Sequence, residues 1–450
     1  VLALHSPGAL DLGYARLEPG DWGRFHGLPT RRDVAEALAG LGIQVIRFGG
    51  SAVNVPDYRW KHMIGLRDRR PPYRGNWYPQ SSNGWGIIDF LAFCRAANLT
   101  GIPALHMGES PQDVVDFLEY VNGDPTTPWG RRRVEDGYGA PFNLRYLELG
   151  NEERVDPAYA ERFEALAEAA WKVDPNLTVI VGDFVYEHPI DDPDHLQGAA
   201  SRITNMDGHR RILGLAARHQ REVWFDVHVW TDSPRRHSSV LTFPTYVAAL
   251  ERLAAEAGAR ARALIFELNA NSHDQARALS NVQAILDVER LGNVPIVCSA
   301  NALQPDGQND NGWNQGLLFL DPLRVWRQPP AHALAMMAPL LPGASRLPIS
   351  GLPDGVDGVA LRRGPFITLQ LLNASPNPQP LTLRLDGFLP TQPDASCTTL
   401  AAPLDARNTP TDPNRVAPVS SSWTHGLTPQ RPDSTPLVLP PHAFTVIELK

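Results

Sequence analysis

The stretch that decides the fold is RYLELGNE, Arg145–Glu152. Successive side chains of a strand point to opposite faces. Leu147 and Leu149 share one face; Tyr146, Glu148 and, further on, Glu152 share the other parity. The apolar pair belongs against covering helices. Glu148 then points into an enclosed interior, and Glu152 stands at its mouth. A helical period follows in Pro157–Val173, where Phe163, Leu166, Ala167, Ala170 and Trp171 fall on one side.

The same alternation recurs on both sides of this unit. Further strands are read at Gln44–Gly50, Gly101–Met107, Thr178–Phe184, Trp224–Trp230, Ala263–Asn269 and Pro295–Ala300. Amphipathic helices are read at Arg31–Leu41 (with Thr30 as N-cap), Asp113–Asn122, Thr245–Ala257 and His273–Leu291. Such alternation implies parallel strands joined by right-handed crossovers, and their number points to an α/β fold, a (β/α)8 TIM-type barrel. The remaining strand is expected before Arg31, from Val1–His5 (VLALH) or from a segment outside the chain. The chain begins at Val1 rather than Met, which leaves room for an upstream leader. A doubly wound open sheet is disfavoured, because IRFGGSAVN (Ile46–Asn54) lacks the GxGxxG spacing.

After Gln328 short alternating runs appear at Val356–Leu361, Phe366–Leu372, Leu381–Leu385, Leu437–Leu439 and Ala443–Leu449, punctuated by Pro, Gly, Asn and Asp. No helical period is seen beyond Ala331–Leu341. The expected organisation is a catalytic barrel over 1–328 and an all-β sandwich over 329–450, with Asp405–Thr435 as a long Pro-rich loop. The sandwich is expected to buttress the barrel through an apolar interface.

Composition narrows the function. The 450 residues carry 41 Lys and Arg against 49 Asp and Glu, a net charge of −8, with no basic run, so nucleic acid and anionic lipid are poor partners. No run of 18 apolar residues exists to span a membrane. The 11 Trp, 10 Tyr and 15 Phe suit stacking on sugar rings. Cys94, Cys298 and Cys397 are too scattered for a disulfide framework or a CxxC metal site. Asp306, Asn309, Asp310, Asn311 and Gly312 hint at a calcium loop, but Leu317 stands where a bidentate Glu is needed. His106, His228 and His273 lack zinc-ligand spacing. No metal and no cofactor is expected.

In a (β/α) barrel the active site lies at the C-terminal ends of the strands. There the sequence places Arg47, Glu152, the Asp226–His228–Trp230 face, and Glu267. Two carboxylates on strand ends suit glycoside hydrolysis: one holds a proton for the leaving oxygen, and the other stays ionised to attack the anomeric carbon. Trp60, Trp77, Tyr78 and Trp85 lie in a polar loop, and at least two of them are expected to face a cleft.

These residues carry a resemblance to glycoside hydrolase family 51, mostly α-L-arabinofuranosidases, with an endoglucanase-like branch. Gly150-Asn151-Glu152 resembles the family's acid/base signature, and YRWKHMIGLRDRRP (Tyr58–Pro71) its aromatic-rich loop. Trp85–Leu99, Asp116–Gly123, Ser299–Gln304 and, in the sandwich, Asp405–Pro418 are also similar. The resemblance implies a retaining double displacement with Glu152 as acid/base and Glu267 as nucleophile, their carboxyl groups about 5–5.5 Å apart. It implies substrate binding by Asn151, with Arg47 and His228 supporting the two acids. Trp230, Trp60, Trp77 and Gln304 complete the expected substrate-binding set.

Some positions depart from the family. No Glu-His-Leu-Gly element is found, Leu268 follows Glu267 where Trp is usual, and Trp230 stands where Tyr is usual. Asn301–Gly316 resembles the endoglucanase-like branch. The expectation is therefore an endo-acting β-1,4-glucanase or xylanase on plant cell-wall polysaccharide, with an exo-acting α-L-arabinofuranosidase as the alternative. A non-catalytic glycan-binding barrel and a metal-dependent hydrolase are the readings of other classes. An oligo- or polysaccharide is the expected partner, secretion or the bacterial cell surface the expected location, and self-association is left open.

Overall fold

The computed structural model describes residue 5, residues 8–9, 18–198, 201–231, 234–307 and 314–450, with only the backbone of 234–239. Its centre is a curled parallel sheet. The strands are β1 (Val45–Phe48), β2 (Thr100–Leu105), β3 (Tyr146–Leu149), β4 (Thr178–Gly182), β5 (Glu222–Asp226), β6 (Arg260–Asn269) and β7 (Val297–Ser299). They lie side by side in chain order, each parallel to the next. A two-residue strand, Val229–Trp230, continues the line of β5 and pairs with the end of β6. This is a TIM-type barrel with seven of its strands among the described residues. β7 and β1 flank a cavity of about 500 Å³ lined by Val45, Ile46, Val297, Leu38 and Leu334. Residues 1–4, proposed above as a strand, lie outside the described residues.

Side-chain alternation builds two layers. Ile102, Ile180, Trp224, Leu264 and Phe266 fill the inside of the barrel, with Tyr146 against them. Leu147, Leu149, Val179, Val181, Val223 and Phe225 face outward into the larger core shared with the helices. The helix Pro157–Val173 starts where expected: Asp156 caps it, its carboxylate accepting from the Ala158 and Tyr159 amides at 3.0 Å. Thr30 does not cap the first helix. It lies in a short strand, Leu28–Arg31, and the helix Arg32–Ala39 begins without a side-chain cap. Helices at Ile87–Ala96, Pro128–Glu135 and Asp207–His219 add to those expected. The first is buried from Ile87 to Cys94, so it shows no polar stripe and no amphipathic period.

Beyond the helix Pro329–Met337 and a 3-10 turn at Ala338–Leu340, the regular elements are all strands. The strands are β8 (Ser345–Leu347), β9 (Val356–Arg363), β10 (Phe366–Asn373), β11 (Asp394–Ala401), β12 (Val419–Thr424) and β13 (Ala443–Leu449). They form one antiparallel sheet in the order β8-β9-β10-β13-β11-β12. A small second sheet pairs Gln379–Leu381 with Leu437–Leu439. β12 corrects the expectation of an unbroken loop over Asp405–Thr435. Its sequence, VSSSWT, is exposed except at Trp423, so it carries little apolar alternation. One sandwich face, including Val359, Leu361, Leu372, Leu400, Phe444 and Val446, belongs to the same apolar core as the barrel helices.

Candidate active site

The site is assembled where β1, β3, β5 and β6 end. After Leu149 the chain turns sharply. Gly150 has φ +87°, and a Cβ there would meet the Glu153 side chain at 2.4 Å. Asn151 follows, and Glu152 takes φ +50°, a left-handed conformation that costs a non-glycine residue free energy. Asn54 holds this turn from the β1 side. Its Nδ2 donates to the Asn151 carbonyl at 2.7 Å, and its Oδ1 accepts from Asn151 Nδ2 at 3.1 Å.

Glu267 reaches the site through an irregularity in β6. Ile265 lies beside Val297 and Leu268 beside Ser299, three residues against two. Such a β-bulge re-aims the side chains beyond it. Leu264 and Phe266 point into the barrel and Ile265 out; strict alternation would send Glu267 outward too. The extra residue brings it inside.

The charged groups then interlock. Arg47 donates to both oxygens of Glu148, from Nε at 2.7 Å and Nη2 at 2.8 Å. Its Nη1 donates to Glu267 Oε1 at 2.8 Å, and Nη2 also reaches Asn151 Oδ1 at 2.7 Å. His228 sits between carboxylates, with Nε2 3.0 Å from Asp226 Oδ2 and Nδ1 2.9 Å from Glu152 Oε1 and 3.5 Å from Glu267 Oε2. Asp226 is itself fixed, accepting from the Phe266 amide at 2.7 Å. Asn269 Nδ2 donates to Glu267 Oε2 at 3.1 Å.

These contacts set the charge states. Burial opposes a charged His228, but Glu267 and Asp226 outweigh it and hold the imidazole well above its usual range. Burial also opposes ionisation of Glu267, yet His228 and Arg47 pull its carboxyl below the usual 4.5. Burial pushes Glu148 upward against the attraction of Arg47. Arg47 is held protonated by Glu148 and Glu267 in spite of its burial. An oxygen of Glu152, one of Glu267 and a ring nitrogen of His228 lie within 4.8 Å of one another, the one such cluster among the described residues. A doubly protonated ring offers no lone pair to a metal, so the donor set suits proton and charge handling better than a cation.

The expected site residues Glu152, Glu267, Arg47, Asn151 and His228 are thus brought together. Trp230 stands on the short strand beside Asn269 at the same rim. Trp77 is exposed on a hairpin closed by Tyr73 and Ser81 and tied to the Ser51 carbonyl by Asn76. Trp60 needs correction: it is fully buried. Its indole donates to the Asp113 carbonyl at 2.9 Å, and its ring packs against Phe117, Tyr120 and Trp129. It is core beneath the loop and faces no cleft. Gln304 is buried as well, its amide engaged by Asn314 and the Gly316 amide. Asn309, Asp310, Asn311 and Gly312 of the calcium-like loop lie outside the described residues. Glu148 and Asp226 were placed on inward faces but given no role, and Asn54 and Asn269 were not foreseen. Strand parity pointed to the first two. The Asn pair carries no such signal.

The α-L-arabinofuranosidase 1 domain model matches residues 37–237. Curated relatives include a probable α-L-arabinofuranosidase A of Aspergillus terreus, 30% identical over 223 residues, which are 41% of this chain and 35% of the relative. An extracellular exo-α-L-arabinofuranosidase of Streptomyces chartreusis is 30% identical over 212 residues, 40% of this chain and 26% of the relative. Over this stretch the chain is similar to the α-L-arabinofuranosidases of glycoside hydrolase family 51. It spans only a quarter to a third of those two relatives. Solved family structures share the fold: the α-L-arabinofuranosidase of Thermotoga maritima in its arabinose complex superposes with a TM-score of 0.74 at 19% identity, over 93% of this chain and 90% of that one.

The likeness to these relatives corrects the substrate expectation. An endo-acting glucanase or xylanase was expected from the endoglucanase-like stretch and the missing strand-one element. The curated relatives are named as arabinofuranosidases, and two as exo-acting, the second from Bifidobacterium longum at 35% identity over 124 residues, 27% of this chain and 22% of the relative. A motif not found carried too much of that expectation, and the substitutions at Leu268 and Trp230 leave the charged site intact.

Proposed function

We propose that the protein is a retaining glycoside hydrolase, an exo-acting α-L-arabinofuranosidase. The observation that carries the reading is the placement of Glu152 and Glu267, with an oxygen of each within 4.8 Å of the other. Oxygens that close favour the short carboxyl separation of double displacement over the wider one of an inverting enzyme. Glu267, kept ionised by His228 and Arg47, attacks the anomeric carbon. Glu152 gives its proton to the leaving oxygen and afterwards takes one from the water that hydrolyses the glycosyl ester. Asn151, held at both ends of its amide by Arg47 and Asn54, is oriented to hydrogen-bond a sugar hydroxyl. The names of the curated relatives support the sugar and the exo mode.

The test is hydrolysis of 4-nitrophenyl α-L-arabinofuranoside and of arabinan. Free arabinose is the expected first product of arabinan. Glu152→Gln and Glu267→Gln are each expected to lose at least about 10³-fold in rate on arabinan. Near-wild-type turnover by either variant refutes the assignment, and early oligosaccharide release refutes the exo mode.

A further inference from the structure

We infer that Gln315 is a positioning residue for the Glu267 carboxylate, acting through Asn269; the inference rests on Glu267 being the nucleophile. A carboxamide can present either end to a neighbour, and something must decide which. Asn269 is 1% exposed and Gln315 5%. Gln315 Oε1 accepts from the Ala270 amide at 3.0 Å, so its NH2 group faces Asn269. Gln315 Nε2 donates to Asn269 Oδ1 at 3.1 Å. The NH2 of Asn269 is therefore turned toward Glu267 Oε2, 3.1 Å away. Reversed, the Asn269 oxygen would meet the carboxylate and oppose its ionisation.

Gln315 is held by a chain of contacts that reaches the sandwich. Arg277, 1% exposed, donates to the carbonyls of Gln315 and Ala300. It lies in the first turn of the helix Gln275–Leu291, whose Gln275 and Ala276 amides donate to the sandwich carbonyls of Ala406 and Leu404 at 2.9 Å. Gln275 Nε2 also donates to the His442 carbonyl at 3.0 Å. The all-β region thus fixes the helix start, the helix fixes Arg277, and Arg277 fixes the backbone of the residue that orients Asn269.

The experiment compares Gln315→Met, Asn269→Ala, their double variant and Glu267→Ala by pH profiles on 4-nitrophenyl α-L-arabinofuranoside. A hydrogen bond to a charged group is worth enough for a loss of about tenfold to a hundredfold in kcat in Asn269→Ala, with somewhat less in Gln315→Met. KM should stay nearly constant. The acid limb of kcat/KM should move to higher pH in both. The double variant should be no slower than Asn269→Ala, because the two residues act in series. A residue that only supports the fold would lower thermal stability and leave the acid limb in place; that result in Gln315→Met overturns the inference, as does simple multiplication of the two losses. Should Gln315→Met not fold, an unmoved acid limb in Asn269→Ala overturns it equally. Glu267→Ala separates the two levels. If it keeps wild-type rates, the nucleophile assignment fails. If it is inactive and recovers with azide while Gln315→Met behaves as wild type, only the relay fails.

Discussion

Replacing Asp226 by Asn should move the acid limb of activity while sparing the plateau. The carboxamide so introduced can still accept from the Phe266 amide through its oxygen, as Asp226 Oδ1 does at 2.7 Å. Its NH2 then faces His228 Nε2, which Asp226 Oδ2 now meets at 3.0 Å. Two donors cannot share that contact, so His228 gives up its Nε2 proton and becomes neutral. The Nδ1 proton stays, and with it the hydrogen bond to Glu152 Oε1. What Glu267 loses is a cation 3.5 Å from its Oε2. At an effective dielectric of about 20 that charge is worth about 4.7 kcal/mol, a ceiling of about 3.5 pH units. Opposite charges at this range lower carboxyl groups by about 1–3 units, so an upward shift within that range is expected. The sign follows from Glu267 itself: its carboxyl lies below the usual 4.5, partly because of His228, and removing that charge raises it. The assay is kcat/KM against pH on 4-nitrophenyl α-L-arabinofuranoside, whose acid limb reports the free enzyme's base or nucleophile. A limb within about 0.3 unit of wild type would show that His228 does not hold Glu267 ionised.

Trp60→Ala should cost about 3–5 kcal/mol of stability in urea unfolding and leave KM unchanged, as expected of a buried core ring and not of a sugar platform. Gly150→Ala should lower both stability and kcat, since its φ of +87° and the 2.4 Å approach of Glu153 leave no place for a methyl group; unchanged activity would mean that the turn does not place Glu152. Glu267, lowered in the folded state, contributes stability above pH 4.5 that is lost as pH falls through its folded value. Between pH 6 and pH 3, unfolding of wild type and Glu267→Gln should therefore converge, and a constant difference would contradict the shift.

How far the sequence could be read depended on periodicity. The seven barrel strands read between Gln44 and Ala300 were each found to within a few residues, because alternating apolar side chains must meet two different layers; the strand read at Val1–His5 falls on residues that are largely outside the described ones. Glu148 and the Asp226–His228 face were legible for the same reason. Trp60 was not: its loop is rich in Arg, Pro and Gly, and that composition hid a ring which the helix Pro111–Asn122 buries. The edge strand Val419–Thr424 was missed because it presents serines to solvent. Asn54 and Asn269 act through side-chain hydrogen bonds at both ends of their amides, and nothing in local pattern marks them.

Glu267 is the instructive case. Its parity matched Ala263 and Ile265, which pack outward, so a regular strand would have carried it away from Glu152. The irregular register opposite Val297 and Ser299 reverses this for one residue and returns Leu268 to the outer core. Once inside, the carboxylate enters a group of two cations, Arg47 and His228, which face Glu148, Asp226 and Glu267. Each of these carboxylates has a cationic partner in hydrogen-bond or ion-pair reach, without which its burial would be costly. Glu152 stands at its edge, more open than the rest at 27% side-chain exposure. On the proposed roles, the interior fixes the charge of the nucleophile Glu267, and the more open Glu152 is placed to meet substrate and water, the division of labour that two displacements at one carbon require.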